Sequence, residues 1–124
     1  MKIRIKGDSI RLRLTQGEVT QFATEGVVEE SIHFPGKALR YRLLHSKDAT
    51  EMKAEFHQDT ISLAIPWSAG TEWTETDLVG LEWKQKLPSG KELALLVEKD
   101  FQCLTPRVGE KESDHFPNPL ASQQ

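Results

Sequence analysis

The sequence predicts an α+β fold that is mainly β. We expect an internal duplication of a ββαββ unit, forming a curved antiparallel sheet or a small barrel with two short helices. The stretch Met1–Leu14 recurs without a gap at Met52–Ile65, with Met, Lys, Asp, Ile and Leu at matched positions. Most of the remaining chain alternates apolar and polar residues, which indicates half-buried strands. Helix signals occur in two short segments only.

The first unit opens with a predicted β-hairpin. Isoleucines alternate with basic residues over Lys2–Lys6, and apolar residues alternate with arginines over Ile10–Leu14. Gly7 and Asp8 stand between the two runs and supply a tight turn. The apolar side chains of both strands are therefore expected on one face and the basic side chains on the other.

A short helix is predicted over residues 16–25. Thr15 and Glu18 have the spacing of a capping box, in which each side chain accepts a hydrogen bond from a backbone N–H of the first turn. Gly26 suits the left-handed position that ends a helix. Two strands should follow, Val27–Phe34 and Leu39–Leu44, joined by a Pro-Gly turn.

The second unit repeats these elements in the same order. Lys53–His57 and Thr60–Ile65 form the predicted hairpin, and Pro66 begins a helix in which Trp73 corresponds to Phe22. In the following strand, an ungapped alignment sets Leu81 against Glu30. A unit of this size cannot bury its own apolar face, so the two halves are expected to pair.

These patterns predict one domain over residues 1–104, built from pseudo-symmetric halves at residues 1–48 and 52–100. Residues 105–124 are rich in Pro, Glu, Ser and Asp and are expected to form a C-terminal strap and a disordered tail. Ala94 and Leu96 place apolar surface on the outer face of the last strand. We expect the strap, through Phe101, Leu104 and Phe116, or else a second subunit, to cover it.

Composition limits the classes of function. The net charge is −3, which makes nucleic acid an improbable partner. The single cysteine suits a reducing compartment, and the N-terminus lacks the apolar run of a signal peptide, so a cytoplasmic location without membrane contact is expected. No cofactor is predicted, and the protein could be a monomer or a homodimer.

Basic residues of the first unit form the main candidate site, because they project from the non-core face and most have no basic counterpart in the second unit. The candidate ligand-binding residues are Arg4, Lys6, Arg11, Arg13, Arg40 and Arg42. One interpretation is a surface for an anionic ligand or an acidic protein. The alternative is a charged, solvent-exposed sheet face whose side chains pair with neighbouring acids.

Other candidate residues are isolated. Glu30 falls on the apolar face of its strand, where a buried carboxylate could serve in acid–base catalysis; alternatively it reaches water near a strand end. Cys103, Asp114 and His115 are the only mixed group that could gather around a metal, and their spacing does not match a zinc motif. We therefore predict no metal site.

The two ends of the chain carry a resemblance. The opening MKIRIKGDSIRLRL and the ending EKDFxCLxPR, followed by acidic residues and FPNP, resemble a family of small bacterial proteins of unknown function. The resemblance spans the whole chain. It implies a bacterial, cytoplasmic protein and transfers no activity, cofactor or catalytic residue.

The function that these observations favour is a binding or interaction module with a basic sheet face for an acidic or anionic partner. The alternative is a small barrel enzyme acting on phosphorylated or polyanionic substrates, in which the basic residues would clamp the substrate. Tunnel-type triphosphatases would be the model for that enzyme, but their N-terminal Glu-x-Glu-x-Lys signature is missing. Whether the protein is an enzyme is left open by the sequence.

Overall fold

The computed structural model describes residues 1–101 and 116–117, which form eight strands and two helices. The first five elements are β1 (Lys2–Ile5), β2 (Ser9–Leu14), α1 (Gln16–Glu25), β3 (Val27–Phe34) and β4 (Lys37–Ser46). The next five are β5 (Lys53–His57), β6 (Thr60–Pro66), α2 (Trp67–Glu75), β7 (Gly80–Lys86) and β8 (Glu92–Lys99). The mainly β composition and the two short helices agree with the prediction.

The strands form two four-stranded sheets, and each sheet combines a hairpin from each half of the chain. The first sheet has the order β1-β2-β8-β7 and the second has the order β3-β4-β6-β5. Strands within each hairpin are antiparallel, but the central pairs β2–β8 and β4–β6 are parallel. The prediction of a purely antiparallel sheet is therefore wrong. The described strands also do not close into a barrel.

One hydrophobic core joins the two sheets and both helices. Its fully buried side chains include Leu12 and Val97 from the first sheet and Leu43 and Leu63 from the second. Each helix connects the carboxyl end of a central strand to the amino end of an edge strand, and the helices contact each other. Both helices therefore lie at one end of the sheets, which we call the helix end.

The four hairpin turns lie at the opposite end, which we call the hairpin end. There the inner-face residues Ile5, Ile32, Phe34 and Phe56 are exposed, because no helix covers them. The hairpin end therefore leaves apolar side chains of the inner faces in contact with solvent.

Helix α1 has the predicted boundaries because both of its ends are capped. The Thr15 hydroxyl accepts a hydrogen bond from the Glu18 amide, and a Glu18 carboxylate oxygen accepts one from the Thr15 amide at 3.0 Å. Gly26 has a φ of 79° and ends the helix in the left-handed conformation. The capping-box and glycine predictions are confirmed.

Helix α2 begins after Pro66, as predicted, but the connection from α2 to the next strand differs from that of α1. Four residues, 76–79, separate α2 from β7, whereas Gly26 alone separates α1 from β3. The ladders pair Glu30 with Tyr41 and Trp83 with Leu95. Trp83 therefore takes the strand position of Glu30, and the predicted alignment of Leu81 with Glu30 is wrong by two residues.

Of the predicted strap and tail, residues 105–124, the structure describes only residues 116–117. Phe116 forms a parallel bridge to Phe101, and the two rings meet edge to face at 5.8 Å. Phe116 packs against the core at the helix end, near Lys99, and not over Ala94 or Leu96. The predicted cover by Phe116 is wrong for that apolar surface. Leu104 and the rest of the predicted strap and tail lie outside the described residues.

No helix in the described part of the chain is both long enough and apolar enough to span a membrane.

Candidate functional site

The outer face of the first sheet carries a groove of about 540 Å³, which we call the first-sheet groove. Its polar lining consists of Arg4, Lys6, Ser9, Arg11, Glu82 and Lys84. Its floor includes the half-buried side chains of Ala94 and Leu96, which point outward because the alternate residues Leu95 and Val97 enter the core. The groove therefore combines an apolar floor with four cations and one carboxylate.

The cations of this face divide into paired and unpaired groups. Glu98 accepts hydrogen bonds from the Nε of Arg11 and the Nε of Arg13, both at 2.7 Å, and also contacts the Arg11 Nη2. Within the described residues, the side chains of Arg4, Lys6 and Lys84 make no hydrogen bond or ion pair. Three lining cations are therefore available to a ligand, and Arg11 is largely neutralised.

The second sheet carries a smaller groove of about 310 Å³, which we call the second-sheet groove. It is lined by Glu29, Arg40, Arg42, Glu55, His57, Gln58, Thr60 and Ser62. The Arg42 Nε donates a hydrogen bond to the Ser62 hydroxyl at 2.8 Å. Two cations face two carboxylates here, so the charges balance.

The two grooves occupy corresponding places in the two sheets. The parallel ladder pairs Ser9 with Ala94 in the first sheet and Thr60 with Arg40 in the second. Glu82 and Glu29 stand on the edge strands at matching ladder positions, opposite Leu96 and Arg42 respectively. One architecture therefore supports two grooves with different chemistry, and only the first-sheet groove has an excess of positive charge.

The structure divides the predicted basic surface. Arg4, Lys6, Arg11 and Arg13 belong to the first sheet, whereas Arg40 and Arg42 belong to the second. The two sheets turn their inner faces to a common core, so their outer faces point in opposite directions. The six residues therefore do not form one site.

Glu30 is engaged in a structural contact at the helix end. Its Oε1 lies 3.0 Å from the α-ammonium group of Met1, and its Oε2 accepts a hydrogen bond from the Tyr41 hydroxyl at 2.9 Å. Glu18 also contacts the Met1 ammonium group. The Glu30 side chain is 41% exposed, so it reaches water while linking β3 to the chain start. The Glu30 carboxylate therefore reaches water, as the alternative interpretation of this residue expected.

Ionisation of the Tyr41 phenol can be used to test this contact with Glu30. Burial, followed by the hydrogen bond to Glu30 and its negative charge, raises the pKa of Tyr41 from 10.0 to about 12. Because the folded-state pKa is raised, the associated stability is present below pH 10 and is lost as the pH rises towards 12. Tyr41 is the only tyrosine in the chain, so its ionisation can be followed by tyrosinate absorbance.

We expect the absorbance titration to have its midpoint near pH 12, and the Glu30→Gln variant to have a midpoint between 10.0 and 12. The substitution removes the negative charge beside the Tyr41 hydroxyl but leaves the phenol buried, so part of the rise in the pKa remains. Circular dichroism at each pH checks that the protein is still folded. A wild-type midpoint near 10.0 in folded protein would show that the phenol is free of this carboxylate.

Lys99 is a buried cation that the sequence did not identify. Its residue is 8% exposed, its Nζ donates a hydrogen bond to the Thr76 carbonyl at 2.7 Å, and the ammonium group lies 5.6 Å from the centre of the Phe116 ring. Burial lowers the pKa of Lys99, and the charge of Asp77 opposes that effect. The alternation of residues in β8 predicts that Lys99 lies on the inner face. It does not predict which groups Lys99 contacts.

Metal binding is unsupported within residues 1–101 and 116–117, because no three His, Cys, Asp or Glu side chains gather there in a geometry suited to a metal. The weak candidates Cys103, Asp114 and His115 lie outside the described residues.

Comparison with known proteins identifies the family. The model of a family of unknown function, DUF7009, matches residues 1–120. The chain belongs to this family. The predicted resemblance to an uncharacterised family is thereby confirmed, and DUF7009 assigns no activity to the groove residues. No curated protein matches the chain significantly, and no solved structure does so.

Proposed function

We propose that this DUF7009 protein is a binding module for an anionic ligand and that the first-sheet groove is its binding site. The observation that supports this proposal is the charge contrast between two grooves in corresponding places. The first-sheet groove has four cations and one carboxylate, whereas the second-sheet groove has two of each.

The groove has the dimensions and composition that ligand recognition needs. Its volume of about 540 Å³ lies within the usual range of about 300–1,000 Å³ for small-molecule sites. Arg4 offers a planar guanidinium group that can bind a carboxylate or phosphate through two hydrogen bonds, and Lys6 adds a point charge. Both side chains are exposed and lack protein partners among the described residues, so both can bind a ligand without breaking a described contact.

A charged, solvent-exposed sheet face is the competing interpretation, and the protein contains one for comparison. In the second sheet, Lys53 pairs with Glu55 and the cross-strand neighbours Glu29 and Arg42 have opposite charges. A face that needs only solubility and correct pairing can therefore be balanced on this architecture. The unpaired cations of the first sheet exceed that requirement.

We further propose that the two halves arose by duplication, as the repeated hairpin suggests. The element order ββαββ occurs twice, and the parallel ladders start at corresponding residues in the two sheets. A feature that the fold demands should then occur in both copies. An excess of basic over acidic lining residues occurs in one groove only, which supports a role in binding for Arg4 and Lys6.

The test is a titration of isotope-labelled protein with inorganic phosphate, followed by the amide resonances in NMR spectra. We expect shifts in β1, β2 and β8, and about a tenfold weaker affinity in the Arg4→Gln/Lys6→Gln double variant, equivalent to about 1.4 kcal/mol. Raising the salt concentration should also weaken binding, because the contacts are solvent-exposed.

The matched control is the Arg40→Gln/Arg42→Gln double variant, which removes two cations from the second-sheet groove. This variant should bind phosphate as the wild-type protein does. Equal losses in the two double variants would indicate a response to net charge and would contradict a specific site. Shifts confined to the second sheet would show that the anion binds there and would contradict the proposal.

A further inference from the structure

We infer that the ligand of the first-sheet groove is a small amphiphile with one anionic group, a carboxylate or a phosphate, attached to an apolar body. This inference rests on the proposed function and adds the chemical class of the ligand. It follows from the way in which charged and apolar side chains are separated across the four strands.

Two cross-strand rows form the outer face at the groove. One row runs through Arg4, Arg11, Leu96 and Glu82. The other runs from Lys6, which follows β1, through Ser9 and Ala94 to Lys84. Adjacent strands are about 4.8 Å apart, so each row spans roughly 14 Å from β1 to β7. Each row has a basic residue on or beside β1, an apolar residue on β8 and a charged residue on β7.

The cations concentrate at one side of the groove. Arg4 and Lys6 stand on or beside β1, where both can bind one anionic group, whereas Arg11 on β2 already pairs with Glu98. The far strand, β7, contributes Glu82 and Lys84, one charge of each sign, and so does not form a second anion-binding pole. The groove therefore favours a ligand with a single anionic end.

The middle of the groove is apolar on the side of the sheet that faces solvent. Ala94 and Leu96 occupy neighbouring outward positions on β8 and are only half-buried. The matching ladder positions in the second sheet hold Arg40 and Arg42, so the architecture accepts charged side chains there. An apolar floor beside unpaired cations suits the body of an amphiphile, which would extend about 5–10 Å from the anionic group.

The experiment measures how affinity depends on the length of the apolar body. Acetate, butyrate, hexanoate and octanoate are titrated into labelled protein, and the dissociation constants are obtained from the amide shifts. Each methylene that covers the floor should lower the dissociation constant by about two- to fourfold, until the floor is covered. The alcohols of the same lengths should bind at least tenfold more weakly, because they lack the charge.

Two variants and one control distinguish the contributions of the apolar body and the anionic group. Leu96→Ser should remove the dependence on chain length. Leu44→Ser is the matched control, because Leu44 is a half-buried, outward-facing leucine of the second sheet, and it should leave the whole series unchanged. Arg4→Gln/Lys6→Gln should weaken every member of the series by the same factor.

The outcomes distinguish this inference from the proposed function. If affinity does not depend on chain length but acetate and phosphate binding still depends on Arg4 and Lys6, the inference is overturned and the anion site stands. If neither acetate nor phosphate binds, both fail. A length dependence that survives Leu96→Ser places the apolar body elsewhere and contradicts the inference. A peptide of glutamates that binds more tightly than octanoate would replace the amphiphile with an acidic protein.

Discussion

Replacing Trp73 with alanine should lower the free energy of unfolding by about 3–5 kcal/mol, the largest loss that we expect from a single substitution in this chain. The Trp73 side chain is 0% exposed and packs edge to face on Phe22, with the ring centres 5.7 Å apart. Its Nε1 donates a hydrogen bond to the Val79 carbonyl at 3.0 Å. The substitution therefore leaves a cavity between the two helices and also releases the connection to β7.

Chemical denaturation of the two tryptophan variants measures this effect. The matched control is Trp67→Ala, because Trp67 belongs to the same helix but is 41% exposed. We expect that control to lose about 1 kcal/mol, mainly through its stacking on His45 at 3.9 Å. Similar losses in the two variants would show that the contact between the helices is not the centre of the core. Trp73→Phe should fall between them, because it keeps most of the volume and loses the hydrogen bond.

Gly70→Ala is expected to destabilise the protein by about 1–3 kcal/mol, although alanine favours helices over glycine by about 1 kcal/mol. A Cβ atom at residue 70 would lie 2.5 Å from the His45 Nε2 and 3.2 Å from the Phe22 ring. The His45 ring cannot move aside easily. It is stacked between the Phe22 and Trp67 rings, and its Nε2 lies 2.9 Å from the Trp67 carbonyl oxygen.

A double-mutant cycle with His45→Ala isolates this clash. In the His45→Ala background the space beside residue 70 is open, so adding Gly70→Ala should be neutral or should stabilise the helix by up to about 1 kcal/mol. Thermal and denaturant unfolding of the four proteins gives the coupling energy. An equal loss from Gly70→Ala in both backgrounds would mean that the helix backbone, and not His45, requires the glycine.

The sequence was sufficient for the local structure. Alternation located the strands, and the capping box and Gly26 located both ends of α1, because those signals act between residues close in the chain. The pairing of β2 with β8 could not be predicted, because no residue in either strand encodes which hairpin will lie beside it. The shift of β7 by two residues was hidden for a similar reason: it depends on how residues 76–79 pack at the end of α2.

The candidate site was predicted in part. Alternation correctly placed the basic side chains on outer faces, but it could not say that Arg40 and Arg42 would belong to a different sheet from Arg4. Glu98 neutralises Arg11 and Arg13 although it lies 85 or more residues away in the chain. Contacts of this kind arise from tertiary pairing, so a sequence pattern shows where charges point but not which of them are available.

Each sheet pairs a hairpin from the first half of the chain with one from the second half, and this pairing affects how the protein folds during synthesis. During translation, β2 gains its parallel neighbour only after β8, the last of the eight described strands, has left the ribosome. Until then the open edge of the first hairpin is exposed, and long-range pairing of this kind forms slowly. The basic residues that alternate with apolar residues in that hairpin repel one another between nascent chains and so oppose edge-to-edge association during this interval.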